Sequence, residues 1–210
     1  MTAGHGVLMD RVYRRQKHIY DVTRKYYLFG RDRLIAGMAA RPGAQVLELG
    51  CGTGRNLARI GAVWPGVAIC GLDISSEMLA LARAKLGPHA ALAAGDATAF
   101  DAAALFGTDR FDHIVVSYAL SMIPDWRRTV AHAATLLAPG GRLHIVDFGD
   151  LAGLPRPAAG LLRAWLRGFH VAPRDMLGTL AARIASEQGL RLEVIDGPLR
   201  YYRIITLTRI

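Results

Sequence analysis

The sequence predicts an α/β fold, a doubly wound and mostly parallel seven-stranded sheet flanked by helices. Three observations predict it. From Val46 onward, short apolar runs alternate with segments whose apolar residues recur at helical spacing. The first of these runs passes directly into a glycine-rich turn, Gly50-Cys51-Gly52-Thr53-Gly54. Near the C-terminus, two strand-like runs are separated by Asp196-Gly197-Pro198, the pattern of an antiparallel hairpin closing one edge of the sheet.

In chain order, strands are expected at Gln45–Leu49, Val67–Leu72, Ala90–Ala94, His113–Ser117 and Arg142–Val146, where apolar and β-branched residues cluster. Helices are expected at Asn56–Ala62, Ser75–Leu86 and Trp126–Leu137, the last ended by Pro139-Gly140-Gly141 before the fifth strand. Arg191–Ile195 and Tyr201–Thr208 form the hairpin. The residues before the first strand read as a helical cap, 1–43, that ends in a turn at Arg41-Pro42-Gly43, so the whole of 1–210 is one domain with 44–210 as its core.

A chain of 210 residues with 52% hydrophobic content can bury a full core, which excludes general disorder. Two cysteines, Cys51 and Cys70, without a Cys-x-x-Cys pair exclude a disulfide framework, and no metal site is expected. The N-terminus lacks a secretory pattern, and no apolar run approaches the roughly 20 residues of a membrane span, so a cytoplasmic location is expected. The net charge of +9 favours polyanionic surroundings, either nucleic acid or the acidic face of a membrane.

The chemistry begins at Val46-Leu47-Glu48-Leu49-Gly50-Cys51-Gly52-Thr53-Gly54. Glycines there let a ligand approach the backbone closely. A dinucleotide site would want a small residue at position 55, where this chain has Arg55. Glu48 would repel a pyrophosphate and suits a ligand with an ammonium group, such as the methionine moiety of S-adenosyl-L-methionine. Asp73, at the end of the next strand, stands where a carboxylate accepts hydrogen bonds from ribose hydroxyls. Asp96 follows the third strand, where an adenine amino group would lie. On these residues the chain, from about Ala44 to its C-terminus, resembles class I S-adenosylmethionine-dependent methyltransferases. The resemblance implies a Rossmann-like fold in which Glu48, Gly50, Gly52 and Gly54 hold the methionine end, Asp73 the ribose, Ile74 one adenine face, and Asp96 with Ala97 the adenine edge. Ser117 belongs to the same cofactor set, and Cys51 is expected to be a small buried filler.

After the fourth strand the chain has Ser117-Tyr118-Ala119-Leu120 rather than the Asn/Asp-Pro-Pro-Tyr of enzymes that methylate base amino groups in DNA, so no nucleic-acid partner is expected. Upstream, eight basic residues from Arg11 to Arg33 interleave with tyrosines against only Asp21 and Asp32. Two readings of this block stand: tyrosine faces and cations gripping a zwitterionic amine, or an amphipathic helix with a solvated basic face. The block, with Leu154-Pro155-Arg156-Pro157 and Leu162–His170, resembles bacterial betaine-lipid N-methyltransferases. That resemblance implies three methylations of diacylglyceryl homoserine. Tyr20, Tyr26 and Tyr118 are then candidates to line the acceptor pocket, Arg24 and Lys25 to bind its anionic group, and His170 or His18 to take a proton or bind the headgroup.

Leu151–Arg174 carries four arginines and no acidic residue beside Trp165 and Phe169, which suits peripheral contact with anionic lipid at the inner membrane face. A lid helix over the active site is the other reading of that segment. Phosphatidylethanolamine, a quinone precursor or RNA as acceptor, and a non-catalytic cofactor-binding subunit, are the competing functions.

Overall fold

The computed structural model describes residues 28–168, 171 and 173–210. Of the sequence-derived candidates, Tyr20, Arg24, Lys25, Tyr26, His18 and His170 lie outside those residues, as does most of the N-terminal cap.

The elements follow in alternation: α1 (Arg31–Ala36), β1 (Gln45–Leu49), α2 (Arg55–Val63), β2 (Ala68–Asp73), α3 (Ser76–Leu86), β3 (Ala90–Ala94), α4 (Ala102–Phe106), β4 (Phe111–Ser117), α5 (Trp126–Thr135), β5 (Leu137–Phe148), α6 (Arg156–Arg167), α7 (Leu177–Gln188), β6 (Leu190–Asp196) and β7 (Tyr202–Arg209). They build one seven-stranded sheet in the order β3-β2-β1-β4-β5-β7-β6. The strands from β3 to β5 are parallel neighbours, and β7 runs antiparallel to both β5 and β6. The strand order reverses direction at β1 and β4, where β1 has β2 on one side and β4 on the other, the switch point at whose carboxyl ends open α/β sheets bind their ligands.

Each strand alternates its side chains between two faces, and each face has its own core. Leu47, Leu49, Ile114, Val116, Ile145 and Leu207 point to the side covered by α5 and α7. Val46, Val115, Val146 and Ile204 point to the other, where Leu34 and Ile35 of α1, Leu57 and Ile60 of α2 and Leu166 of α6 pack on them. The described end of the N-terminal segment is thus part of the second core. Trp64 Nε1 ties it further by donating to the Ile35 carbonyl at 2.7 Å.

Local signals explain the boundaries. Ser75 caps α3 by accepting from the Met78 N–H, and Asp101 and Asp125 cap α4 and α5 in the same way. The expected turn at Arg41-Pro42-Gly43 is present, with Ala44 N–H bonded to the Arg41 carbonyl. Most boundaries fall within a residue or two of expectation, helices α4 and α7 were not expected, and the largest difference lies between α5 and β5. The third predicted helix stops at Thr135, and β5 already begins at Leu137, running through Pro139-Gly140-Gly141 rather than after it. Phe111 pairs with Leu137 and His113 with Arg142, so the proline–glycine stretch is an irregularity inside the strand pair rather than a helix stop. Gly141 permits it, because a Cβ there would sit 2.8 Å from the Phe111 carbonyl oxygen.

Two histidines meet in the second core. His113 Nδ1 and His144 Nε2 lie 3.1 Å apart, with the rings stacked 5.4 Å between centroids. Burial holds His144 down to about 3 and also lowers His113, with the Arg142 charge acting in the same direction on both.

Candidate cofactor and acceptor site

The β1–α2 turn is made by three glycines in the left-handed region: Gly50 (φ 69°), Gly52 (φ 52°) and Gly54 (φ 73°). Their reasons differ. A Cβ on Gly50 would lie 2.7 Å from Ala119 Cβ, and one on Gly54 would lie 2.8 Å from Leu86 Cδ1, so these two let neighbouring elements close in. A Cβ on Gly52 would project into open space. Gly52 is therefore the bare floor of a cradle that a ligand can approach.

Carboxylates surround this floor. Glu48 sits on β1, 1% exposed, on the face shared with α2. Its Oε1 accepts from Asn56 Nδ2 at 2.7 Å, whereas Oε2 is buried with no partner among the described residues. Burial raises the Glu48 carboxyl to about 8, against the lowering by Asn56, and neighbouring Asp73 raises it further. Asp73 closes β2 and organises the turn: Oδ2 accepts from Gly52 N–H at 2.7 Å and Oδ1 from Ser75 N–H at 2.9 Å. Asp96 accepts from Thr98 N–H at 2.9 Å, which shapes the loop holding buried Ala97. Ile74 is half-buried beside Asp73. Ser117, at the end of β4, has a buried Oγ with no partner among the described residues.

This donor set fits a cationic nucleoside. A buried carboxyl with an unpartnered oxygen and a second carboxylate at the neighbouring strand end favour a positively charged ligand, and the open space at Gly52 admits it. Glu48, Gly50, Gly52 and Gly54 would hold the methionine end, Asp73 the ribose, and Ile74, Asp96 and Ala97 the adenine. Arg55, the residue that speaks against a dinucleotide, turns away to pair with Asp32 at 3.0 Å and so links α2 to α1. Cys51 is buried, its thiol pushed up by desolvation and by Asp73 and Glu48.

Tyr118 sits differently from a pocket-lining side chain. It is 3% exposed, its ring edge packs 4.8 Å from Phe148, and its hydroxyl donates to the Phe29 carbonyl at 2.6 Å. Its backbone is in the left-handed region (φ 54°), where a bulky residue is unusual. Desolvation raises its phenol well above the usual range. Asp147 is a further group at this edge that the sequence did not single out, and Arg174, read from the sequence as one of four arginines for anionic lipid, turns inward here instead. Asp147 is fully buried at the end of β5, and Arg174 reaches the β4–α5 loop through the carbonyls of Leu120 and Ile123, each at 2.9 Å. Strand periodicity flags Asp147 as a polar residue in an apolar run, whereas the sequence marks Arg174 only as a basic residue and carries no signal for its contact with the β4–α5 loop.

Comparison with known proteins agrees with this geometry. Residues 47–143 match the family model described as "Methyltransferase domain". The chain is 32% identical over 172 residues to a demethylmenaquinone methyltransferase of Beutenbergia cavernae, covering 80% of this chain and 65% of that one. It is 36% identical over 139 residues to a phosphatidylethanolamine N-methyltransferase of Cereibacter sphaeroides, covering 61% and 64%. The chain thus spans a little under two thirds of the length of each of these two relatives. Among solved structures, the fold is shared with phosphoethanolamine N-methyltransferase 2 of Haemonchus contortus in complex with S-adenosyl-L-methionine, at a TM-score of 0.68 and 16% identity, covering 86% of this chain and 52% of that one. Sheet order and glycine cradle together show the Rossmann-like fold of class I S-adenosylmethionine-dependent methyltransferases, and residues 47–143 match a methyltransferase domain.

Proposed function

We propose that the chain is an S-adenosylmethionine-dependent N-methyltransferase whose acceptor is a lipid headgroup amine, and that diacylglyceryl homoserine is converted by three methylations to diacylglyceryl trimethylhomoserine. The carrying observation is the surface beside the cradle. Phe29, Leu161, Trp165, Met176 and Leu199 are exposed by 53%, 74%, 42%, 53% and 58%, all on segments bordering the carboxyl ends of β4 and β5. Helix α6 has one buried residue, Leu166, and carries Arg156, Arg163 and Arg167 with no acidic residue. Exposed aromatic and aliphatic groups among cations suit contact with an anionic bilayer. Among the described residues no helix is long and apolar enough to cross a membrane, so access from the surface is the route this reading takes.

The bound cofactor supplies an electrophilic methyl group to an attacking amine lone pair. The chain contributes alignment and exclusion of water. Glu48 and the glycine turn would hold the cofactor's charged end and Asp73 its ribose, with the β4–α5 loop as the wall on the acceptor side. The amine must be neutral to attack, and in this reading His170 or His18 accepts its proton, Arg24 and Lys25 bind the headgroup carboxylate, and Tyr20 and Tyr26 enclose the cation as it forms.

The 36% identity to a phosphatidylethanolamine N-methyltransferase favours phosphatidylethanolamine as the second reading. Both are tested by incubating the purified chain with labelled cofactor and mixed anionic vesicles carrying diacylglyceryl homoserine, phosphatidylethanolamine or demethylmenaquinone, followed by mass spectrometry. Mono-, di- and trimethylated homoserine lipid is the expected product. Label found only in phosphatidylethanolamine or only in the quinone replaces the acceptor, and label in none of them ends the lipid reading.

A further inference from the structure

Tyr118–Ile123 lies between β4 and α5 and meets the glycine turn through Ala119 against Gly50. It lacks strand or helix ladders and begins at a backbone torsion that L-residues avoid, which persists only where surroundings enforce it. The enforcement comes from two sides. Within the sheet, Asp147 Oδ2 accepts from the Ser121 N–H at 3.1 Å while its Oδ1 accepts from the Phe148 N–H at 2.8 Å. Toward the surface, the Arg174 guanidinium spans the loop, Nε on the Leu120 carbonyl and Nη2 on the Ile123 carbonyl. The same guanidinium lies 5.8 Å from the centre of the Trp126 ring, the first residue of α5. The neighbouring residue, Asp175, pairs with Arg163 of α6 at 3.2 Å, so the arm that carries Arg174 is itself held.

We propose that Arg174 is a positioning residue for methyl transfer: its fork, opposed by the buried Asp147 carboxylate, fixes residues 118–123 in the shape that sets an acceptor against the cofactor cradle. The inference rests on the methyltransferase reading. Arginine is required because a planar fork satisfies two carbonyls three residues apart at once, whereas a lysine ammonium is a point charge without that geometry. Both hydrogen bonds are charge-assisted, hence stronger than neutral ones. Asp147 complements them by taking the loop's N–H while Arg174 takes its carbonyls. Asp147 and Arg174 grip the loop at Leu120, Ser121 and Ile123, beyond Ala119, which packs on Gly50, so removing Arg174 is expected to disturb the acceptor side more than the cofactor cradle.

The test compares wild type with Arg174→Ala, Arg174→Lys, Arg174→Gln and Asp147→Asn, with Arg183→Ala on the outer face of α7 as control. Affinity for S-adenosylhomocysteine is measured by calorimetry, kcat and KM on homoserine-lipid vesicles, and hydrogen exchange on the peptide spanning 118–123. For Arg174→Ala the expected result is a fall in kcat of about 100-fold, as a misplacement near 1 Å produces, with cofactor-product affinity held within about twofold and faster exchange at Ser121. Arg174→Lys keeps the charge and is expected to recover less than about a tenth of the lost activity. Lysine activity equal to wild type, unchanged exchange at 118–123, or product affinity and melting temperature falling in step with kcat would each overturn the proposal. If Arg174→Ala does not fold, the lysine and glutamine variants carry the same comparison. If wild type methylates no lipid acceptor, the function proposed above fails, while exchange and product affinity still decide whether Arg174 holds the loop without disturbing the cradle.

Discussion

Glu48 combines complete burial, one hydrogen bond and an oxygen with no partner among the described residues, and burial raises its carboxyl to about 8, so a protonated carboxyl is the expected form near neutral pH before a ligand binds. A cationic ligand favours the carboxylate, so binding is expected to expel that proton, with affinity rising as pH approaches 8 and levelling above it. Calorimetry in buffers of different ionisation enthalpy reads the proton count, and a count of zero at pH 7 refutes the expectation. Glu48→Gln is expected to weaken S-adenosylhomocysteine binding by roughly ten- to hundredfold, the scale of a lost charge-assisted hydrogen bond. Because the folded carboxyl is raised, its contribution to stability is complete below the unfolded value of 4.5 and lost as pH passes about 8, so the same variant is expected to be at least as stable as wild type at pH 9. The histidine pair has the opposite sign. His144 is held at about 3, below its ordinary 6.5, so its neutral form supports the fold above pH 6.5 and that support drains away on acidification toward 3. Urea unfolding of wild type and His144→Gln at pH 7.5 and 5 is expected to show a shallower pH dependence in the variant. The glycine spacing and acidic strand ends made Glu48 and Asp73 legible in the sequence. The His113–His144 pair was not legible, because residues 31 positions apart meet only once the β4–β5 register is known.

Among the elements, the β1 turn carries the sharpest expectation. Gly52→Ala meets no neighbouring atom among the described residues, yet it places a side chain at φ 52° and a methyl group in the cradle. The left-handed torsion costs about 1–2 kcal/mol of stability, read as a lower melting temperature, and product binding is expected to fall further than stability alone accounts for. Undiminished product affinity would mean that the cradle lies elsewhere. For α6, the pair Leu161→Ala and Trp165→Ala is expected to reduce sedimentation with anionic vesicles by about tenfold or more, given roughly 25 cal/mol per Å² of apolar surface withdrawn from water, while leaving cofactor-product affinity unchanged. Unchanged sedimentation would assign membrane contact to another surface. The alternation of strands and helices was readable because its two periodicities differ so clearly. The early start of β5 was hidden, since Pro139-Gly140-Gly141 has the composition of a helix stop and only the neighbouring Phe111 backbone turns it into a strand irregularity.

For the whole molecule, the net charge of +9 sets how it meets an anionic surface. Association with such vesicles is expected to weaken steeply as salt rises, whereas binding of the cofactor product inside the buried cradle is expected to change little. A vesicle affinity indifferent to salt would leave apolar contact as the main attraction. The doubly wound class and the closing hairpin were legible, because parallel βαβ units leave few topologies open, whereas the strand order emerges only in the folded sheet. The acceptor wall was less so: it is assembled from β4, β5 and the segment after α6, and its joints are backbone carbonyls that carry no sequence signature. The placement of β7 between β5 and β6 has a consequence for biogenesis. It leaves the ribosome after both strands it separates, so until then the nascent chain carries two open edges that invite mispairing with other chains. Shortening the polypeptide before Tyr202 should therefore yield insoluble aggregates rather than a smaller working enzyme, a difference visible in the soluble fraction of a cell extract.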